Sequence, residues 1–316
     1  MPVKHAFVSP VLDDADPNSV SPSHWNDDHP LVDYLDYPLP SGAVGAPPAN
    51  TVRAFMKSVA GRAHLAMMGP SGLDSILQEH FGRNKVAIWS SAGNSTTITV
   101  IGAAALTATG TVTAANWAAT NRHTRQKRAD YLITTAATTA VAGFRLAAAQ
   151  WTIGAATAGD GGFTFIFRWA PATGVAVATT RCFVGMANTT AAPTDVQPST
   201  ITNIVGCGWE SGDTNMSIMH RGAGAVTKID LGASFPRPSA DRTSSLELAL
   251  FSPPGTTQSV GYLVTDLVSG AEASGLITTN LPTNATPLAP RGWLSVGGTS
   301  SVVGMTLMGG YLSSDF

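Results

Sequence analysis

Charge is what this sequence lacks most. Only 12% of its 316 residues are Asp, Glu, Lys or Arg, against about 25% in an average soluble domain. Ala, Gly, Thr and Ser fill the missing places. A chain this poor in charge has less reason than most to be wetted on every side. That fits a surface turned towards other chains, and it equally fits a quiet, Thr-rich β-surface. Neither sign dominates, since 18 basic against 20 acidic residues leave a net −2. General nucleic-acid binding through phosphates is therefore not expected.

Cysteine is nearly absent. Cys182 and Cys207 are the two, and neither sits in a CxxC, so the sequence supports no zinc site and no cofactor is expected. Both lie in apolar, strand-like runs, where a buried free thiol is the commoner state. A disulfide would need their Cα atoms within about 7 Å, which spacing alone does not decide. Long hydrophobic runs are missing too. None approaches the roughly 20 residues of a membrane span, so none is expected. Met1-Pro2-Val3-Lys4-His5 leads into no apolar h-region, so synthesis in a cytoplasm without classical export is the expectation.

What is present divides into three textures. Residues 1–50 carry many of the prolines and a group of acids, Asp13, Asp14, Asp16, Asp27 and Asp28. Proline fixes φ and removes a donor, so neither a long helix nor a central strand fits. Yet Phe7, Trp25, Tyr34 and Tyr37 also lie here, and disordered tails are poor in aromatics. An extended arm docked on another surface reconciles the two. Residues 51–95 read as a neck. Thr51–Ser58 and His64–Met68 alternate as a small hairpin around Gly61-Arg62. Leu73, Ile76, Leu77 and His80 then follow the spacing of one helix face, with Gly82 as the stop. The expected helix, Leu73–Phe81, is too short to stand alone in water. It calls for its own domain or for copies of itself around a three-fold axis, packed through Leu73, Ile76 and Leu77.

From residue 96 to 316 the pattern is all β. Short runs such as Phe163–Trp169, Arg181–Met186, Ile204–Trp209 and Leu246–Phe251 are separated by Gly, Pro, Asn and Asp clusters. Phe163, Phe165 and Phe167 share one face of a strand. Many short strands with frequent turns indicate a sandwich. The expected fold class is mainly β: an antiparallel jelly-roll-like β-sandwich with an extended N-terminal arm and a short hairpin-helix neck.

Few residues assemble into recognisable chemistry. His24, Asp27, Asp28 and His29 match no HxxxH or HExxH pattern, so a docking turn is preferred to a metal site. Asp14, Asp16 and Asn18 open like an EF-hand loop, but Ser19 and Trp25 stand where Gly and Glu are needed. No GxSxG, HExxH or P-loop occurs. Asp230 and Glu247 could be paired for glycoside cleavage, as could almost any other two acids. Trp151, Trp169, Trp209 and Trp293 could stack on sugar, although in a sandwich of this size such rings are more often core. The single dense basic run, Arg122-His123-Thr124-Arg125-Gln126-Lys127-Arg128, offers Arg122, Arg125, Lys127 and Arg128 to an anionic glycan or to lipopolysaccharide phosphate. It equally suits the solvated face of a strand, the usual fate of such a run.

Three stretches carry a resemblance. Ser21-Pro22-Ser23-His24-Trp25-Asn26-Asp27-Asp28-His29 is similar to the S-x-x-x-W-N-x-x-H segment near the start of many virion fibre proteins. Ser71-Gly72-Leu73-Asp74, Leu77-Gln78 and Gly82-Arg83-Asn84-Lys85 with Trp89 form the second. Phe183–Met186, Pro193–Ser199, Gly206–Trp209, Asp213-Thr214-Asn215, Lys228–Gly232, Phe235-Pro236, Thr278–Pro282 and Gly310-Tyr311-Leu312 form the third. The chain thus resembles the tail-fibre and minor virion structural proteins of tailed bacteriophages. The resemblance implies a virion-attached homotrimer with a β-sandwich head and transfers no catalytic residue. The arm, with Phe7, Trp25, Asn26, His29 and Tyr34, would contact other virion proteins, and the head would face a host glycan or protein. A virion-associated glycan depolymerase and a head decoration protein without a receptor role are the competing readings.

Overall fold

The computed structural model describes residues 2–3, 29–30, 38–49, 51–69, 74–77, 85–155, 161–254 and 258–314. The chain forms two compact units, Met1–Lys57 with Leu65–Ile76, and Ser58–His64 with Leu77–Phe316.

In the first stretch of chain, strands β1 (Pro2–Val3) and β2 (His29–Pro30) pair antiparallel, with Val3 opposite His29. Strands β3 (Arg53–Val59), β4 (Arg62–Met68) and β5 (Asp74–Leu77) follow as a three-stranded sheet in that order. The hairpin expected around Gly61 is present. Its turn is Ala60-Gly61, both at positive φ (52° and 89°), as a two-residue connection matched to strand twist requires. The expected helix Leu73–Phe81 is not formed: residues 74–77 are strand β5. A three-turn helix has no stability of its own, whereas the edge of β4 offers ladder hydrogen bonds at once. Ile76 and Leu77 therefore belong to a sheet rather than a helical neck. Leu73 and residues 78–81 lie outside the described residues.

The second unit is the antiparallel sandwich that the turn-punctuated strands imply. Its strands are β6 (Lys85–Ser91), β7 (Ile98–Ile101), β8 (Thr107–Thr109), β9 (Thr111–Ala114), β10 (Ala129–Ala137), β11 (Val141–Arg145), β12 (Phe163–Thr173) and β13 (Arg181–Ala187). They continue with β14 (Ile204–Trp209), β15 (Ser217–Arg221), β16 (Thr227–Asp230), β17 (Leu246–Ser252), β18 (Val260–Asp266), β19 (Glu272–Ile277), β20 (Ala289–Ser295) and β21 (Ser301–Ser314). One sheet runs β19-β18-β17-β12-β21-β10-β9, with β6 also on β21 and β7 on β6. The other runs β16-β15-β14-β13-β20-β11-β8. The sandwich thus begins at Lys85, before the expected residue 96.

Strand β21 is the spine of the larger sheet. Along one edge it pairs with β12, and along the other its first half pairs with β10 and its last six residues with β6. The alternation read from the sequence holds. Phe163, Phe165, Phe167 and Trp169 point into the core with Leu246, Leu248 and Leu250 of β17. They meet Cys182, Val184, Cys207 and Trp209 from the facing sheet. Phe144 stacks on Phe167 with centroids 5.9 Å apart, and Trp169 on Trp209 at 6.4 Å. Burying each such ring contributes roughly 1.5–3 kcal/mol before entropy is subtracted. Cys182 and Cys207 are free thiols inside this core. The register sets Cys182 opposite Trp209 and Val184 opposite Cys207, a diagonal placement with Cα atoms typically about 7–8 Å apart. That is beyond easy bridging.

The middle of the smaller sheet is buried on both faces. Every residue of β14 and β20 is buried. On the outer side Phe183, Trp293, Ile204, Met219, Val141 and Ala187 form a second apolar cluster. Glycines make room for these rings. A Cβ on Gly143 would lie 2.9 Å from the Trp293 Cβ, and one on Gly206 would lie 2.7 Å from Phe183 Cζ.

Candidate functional site

The basic run folds into the connection between β9 and β10, and its parts separate. Arg128 is buried (4% exposed) and is therefore not a surface cation. Its guanidinium donates to the carbonyls of Thr124 (2.8 Å), Gln126 (3.3 Å) and Asn116 (2.9 Å), tying the loop from within. His123 is also buried. Its Nδ1–H donates to Ser244 O at 2.9 Å, and burial, the largest influence, holds its pKa below the usual histidine range. Asn121 and Thr124 brace each other through the Asn121 carbonyls and the Thr124 hydroxyl. Asn121 Nδ2 reaches Arg242 O at 3.1 Å, and Gln126 Nε2 reaches Ser245 Oγ at 2.5 Å.

Beneath the loop lies a polar floor. The buried Asp130 of β10 accepts from Thr306 Oγ1 at 2.6 Å and from Arg242 Nη2 at 3.0 Å. Arg242 itself sits at φ 55° in the segment before β17. The charge of Asp130 is therefore matched by a guanidinium, as a buried carboxylate requires.

What this scaffold presents outward is Arg122, Arg125 and Lys127, all exposed, together with Trp117, which is 56% exposed. The Trp117 backbone N–H donates to Asn94 Oδ1 (2.5 Å) and its Nε1–H to Arg125 O (2.9 Å). Arg125 in turn donates to Ala119 O through Nε and Nη2. An indole with its N–H fixed and its ring in water, among three cations on a braced loop, can stack on an apolar ring face while the cations meet anionic groups. Sequence reasoning found the cations but missed Trp117, because nothing in the chain between Ala115 and Ala118 distinguishes an exposed indole from a core one.

Other sites read from the sequence are dispersed or used up. Trp151, Trp169, Trp209 and Trp293 are all buried and are core, not sugar platforms. Asp230 and Glu247 do not form a pair. Glu247 lies on the outer face of the larger sheet, 2.5 Å from Arg168. Asp230 lies on the outer face of the smaller one, bonded by Asn215 Nδ2 (3.1 Å) and by the Gly232 N–H (2.8 Å). With stacked sheets about 10 Å apart between them, these two carboxyls cannot flank one glycosidic bond. Among the described residues no group of three or more His, Cys, Asp and Glu side chains is placed to hold a metal ion. Of the proposed arm residues, His29 is in β2. Phe7, Trp25, Asn26 and Tyr34 lie outside the described residues. No helix among the described residues is long and apolar enough to cross a membrane.

No protein-family model matches the chain, and no curated protein does. Solved structures do. Peanut lectin with a bound nine-residue peptide is 12% identical, over 74% of this chain and 98% of that one, with a TM-score of 0.44. Arcelin-5, a lectin-like defence protein of Phaseolus vulgaris, is 7% identical over 74% and 100%, at 0.46. A protein of unknown function from Shewanella oneidensis MR-1 is 12% identical over 75% and 89%, at 0.48. At such identities and scores neither ligand nor role is carried across.

Proposed function

We propose that this chain is a structural, surface-binding subunit, a fibre-type component of a tailed-phage particle. It is attached through its N-terminal segment, works as a homotrimer and turns its sandwich outward to a host surface. The observation that supports the outward-facing role is the braced loop from 115 to 128. Its buried groups, Arg128, His123 and the Asp130–Arg242 pair below, fix a platform on which Trp117, Arg122, Arg125 and Lys127 stand in water. Rigid anchors of this kind cost little conformational entropy on binding. Their charge suits an acidic surface glycan. The particle assignment rests on the three stretches of resemblance, the Ser21–His29 segment first among them.

The test is binding of the purified full-length chain to host cells and to their extracted surface polysaccharide. Trp117→Ala is expected to weaken binding roughly tenfold, in keeping with an anchor worth about 1–2 kcal/mol. Its circular dichroism should match that of the parent, because the indole is largely solvent-exposed. Equal binding by parent and variant would overturn the role of this loop. A single-site Asp230→Asn or Glu247→Gln change that abolished a hydrolytic activity on the same polysaccharide would favour the depolymerase reading instead.

A further inference from the structure

The outer face of the smaller sheet carries two cations without an acid. Arg145 of β11 and Arg291 of β20 are directly opposite in the ladder, an arrangement that like charges oppose. The loop Asn188–Asn203 covers this face, and the two guanidiniums converge on consecutive carbonyls of it. Arg145 Nε donates to Thr190 O at 2.8 Å and Arg291 Nη1 to Thr189 O at 3.0 Å. The only acid in that loop, Asp195, is engaged elsewhere. It accepts from the Gly297 and Gly298 N–H groups (2.9 and 3.1 Å) and pairs with Arg181 at 3.3 Å. Among the described residues neither Arg145 nor Arg291 has a carboxylate at ion-pair distance.

Arg291 is 3% exposed, with its guanidinium 5.1 Å from the Trp293 ring centroid, and its Nε is buried without an acceptor. Burial, with Arg145 beside it, pulls its pKa down to about 10. The same face buries Arg181 Nε, Trp293 Nε1, Ser295 Oγ and Thr109 Oγ1 without partners. Three of these five unpartnered atoms, Arg291 Nε among them, can only donate. A buried donor without an acceptor is costly, so what the Arg145–Arg291 end of this face lacks is acceptor oxygen and a negative charge.

We propose that Arg145 and Arg291, at the edge of the Asn188–Asn203 loop, form a binding site for an oxyanion: a carboxylate, or a sulfate or phosphate group. Each guanidinium has five N–H donors, of which the loop carbonyls use one. The remaining forks match the planar or tetrahedral array of such an anion. One bound anion neutralises the like-charge pair. Arg145, only partly buried, forms the open side, and Arg291 the floor. The site is separate from the Trp117 loop and stands independently of the particle assignment.

The experiment is a titration of the full-length chain with sodium sulfate against sodium chloride at equal ionic strength, read by thermal melting and calorimetry. Sulfate is expected to raise the melting temperature saturably, beyond chloride. Arg145→Gln keeps a donor for the Thr190 carbonyl but removes the charge. It should weaken sulfate binding roughly tenfold, the value of one charge-assisted contact. In chloride alone it should melt no lower than the parent, since the repulsion with Arg291 is relieved. Arg145→Lys should retain part of the sulfate response. Glucuronate that competes with sulfate would identify the source of the oxyanion as an acidic saccharide. Sulfate binding without glucuronate competition would identify a free tetrahedral ion. Identical responses to sulfate and chloride in the parent, or an unchanged sulfate response in Arg145→Gln, would overturn the site.

Discussion

Three histidines, His64, His123 and His220, lie inside the protein, each with its pKa lowered and each chiefly by burial. Their energetic meaning follows from proton linkage. The unfolded chain takes up a proton on each near pH 6.5, while the fold refuses it until lower pH. Below 6.5 the unfolded state therefore binds more protons, and stability falls as the pH falls. For His64, whose pKa is lowered to about 4 by burial and by the Arg62 charge, the loss accumulates between pH 6.5 and about 4 and then levels off. At pH 5 this one group withdraws about 2 kcal/mol. His64→Gln should therefore lose about 2 kcal/mol less than the parent between pH 7.5 and pH 5, measured as the shift in urea midpoint at the two pH values. Equal losses would show that His64 is solvated. The sequence gives no warning of this. His64 sits at an alternating position of an obvious hairpin strand, but whether that face meets water depends on what covers it.

Among elements, β21 shows both what was legible in the sequence and what was not. The run Val302–Met308 reads from the sequence as one more short β strand. The strand in fact continues to Ser314. Gly309 and Gly310 are there because of neighbours that no local pattern reveals. A Cβ on Gly310 would stand 2.5 Å from Phe167 Cζ in the core, whereas one on Gly309 would only touch Trp89 O at 3.4 Å. Phe167 is fully buried and stacked on Phe165 at 4.5 Å, so its ring cannot yield cheaply. Gly310→Ala is expected to cost about 1–3 kcal/mol by overpacking. Gly309→Ala, one residue away, should fall within about 0.5 kcal/mol of the parent, or gain slightly from a stiffer unfolded chain. Chemical denaturation of the pair checks this, and equal effects would refute it. The same reasoning explains the other mismatches. Alternation located Phe163–Trp169 and its inward rings, because a half-buried strand writes its face into the sequence. Strands β14 and β20 carry no such alternation, since both of their faces are buried. The Leu73–Phe81 helix pattern failed because four strand residues beside an available edge outweigh an isolated short helix. Trp117 and the Arg145–Arg291 pair stayed hidden because each depends on a tertiary neighbour.

At the scale of the whole molecule, the first and last strands of the sandwich are partners. Lys85 pairs with Ser314 and Ser90 with Gly309, so the larger sheet closes only when β21 joins β6. Such distant pairing makes for slow folding. The core cluster of the second unit begins at Ala87. The hairpin tip that opens this unit is part of it. Ala60 O lies where a Cβ on Gly261 would be, and Arg62 Nη1 donates to Thr164 Oγ1 at 2.5 Å and stands over the Phe251 ring. The segment before Thr51 holds Phe7, Trp25 and Tyr34. Leaving such side chains in water forgoes roughly 1.5–3 kcal/mol for one of Phe size, a gain that a groove on a partner would recover. Its acids, Asp13, Asp14, Asp16, Asp27 and Asp28, favour a basic partner surface. A chain that begins at Thr51 should therefore keep the melting temperature and circular dichroism of the parent while failing to join particles. The intact chain should measure as three copies by light scattering. Particles that carry the shortened chain at normal copy number would place the attachment elsewhere. A shortened chain that no longer folds would mean that residues 1–50 belong to the cooperative unit after all.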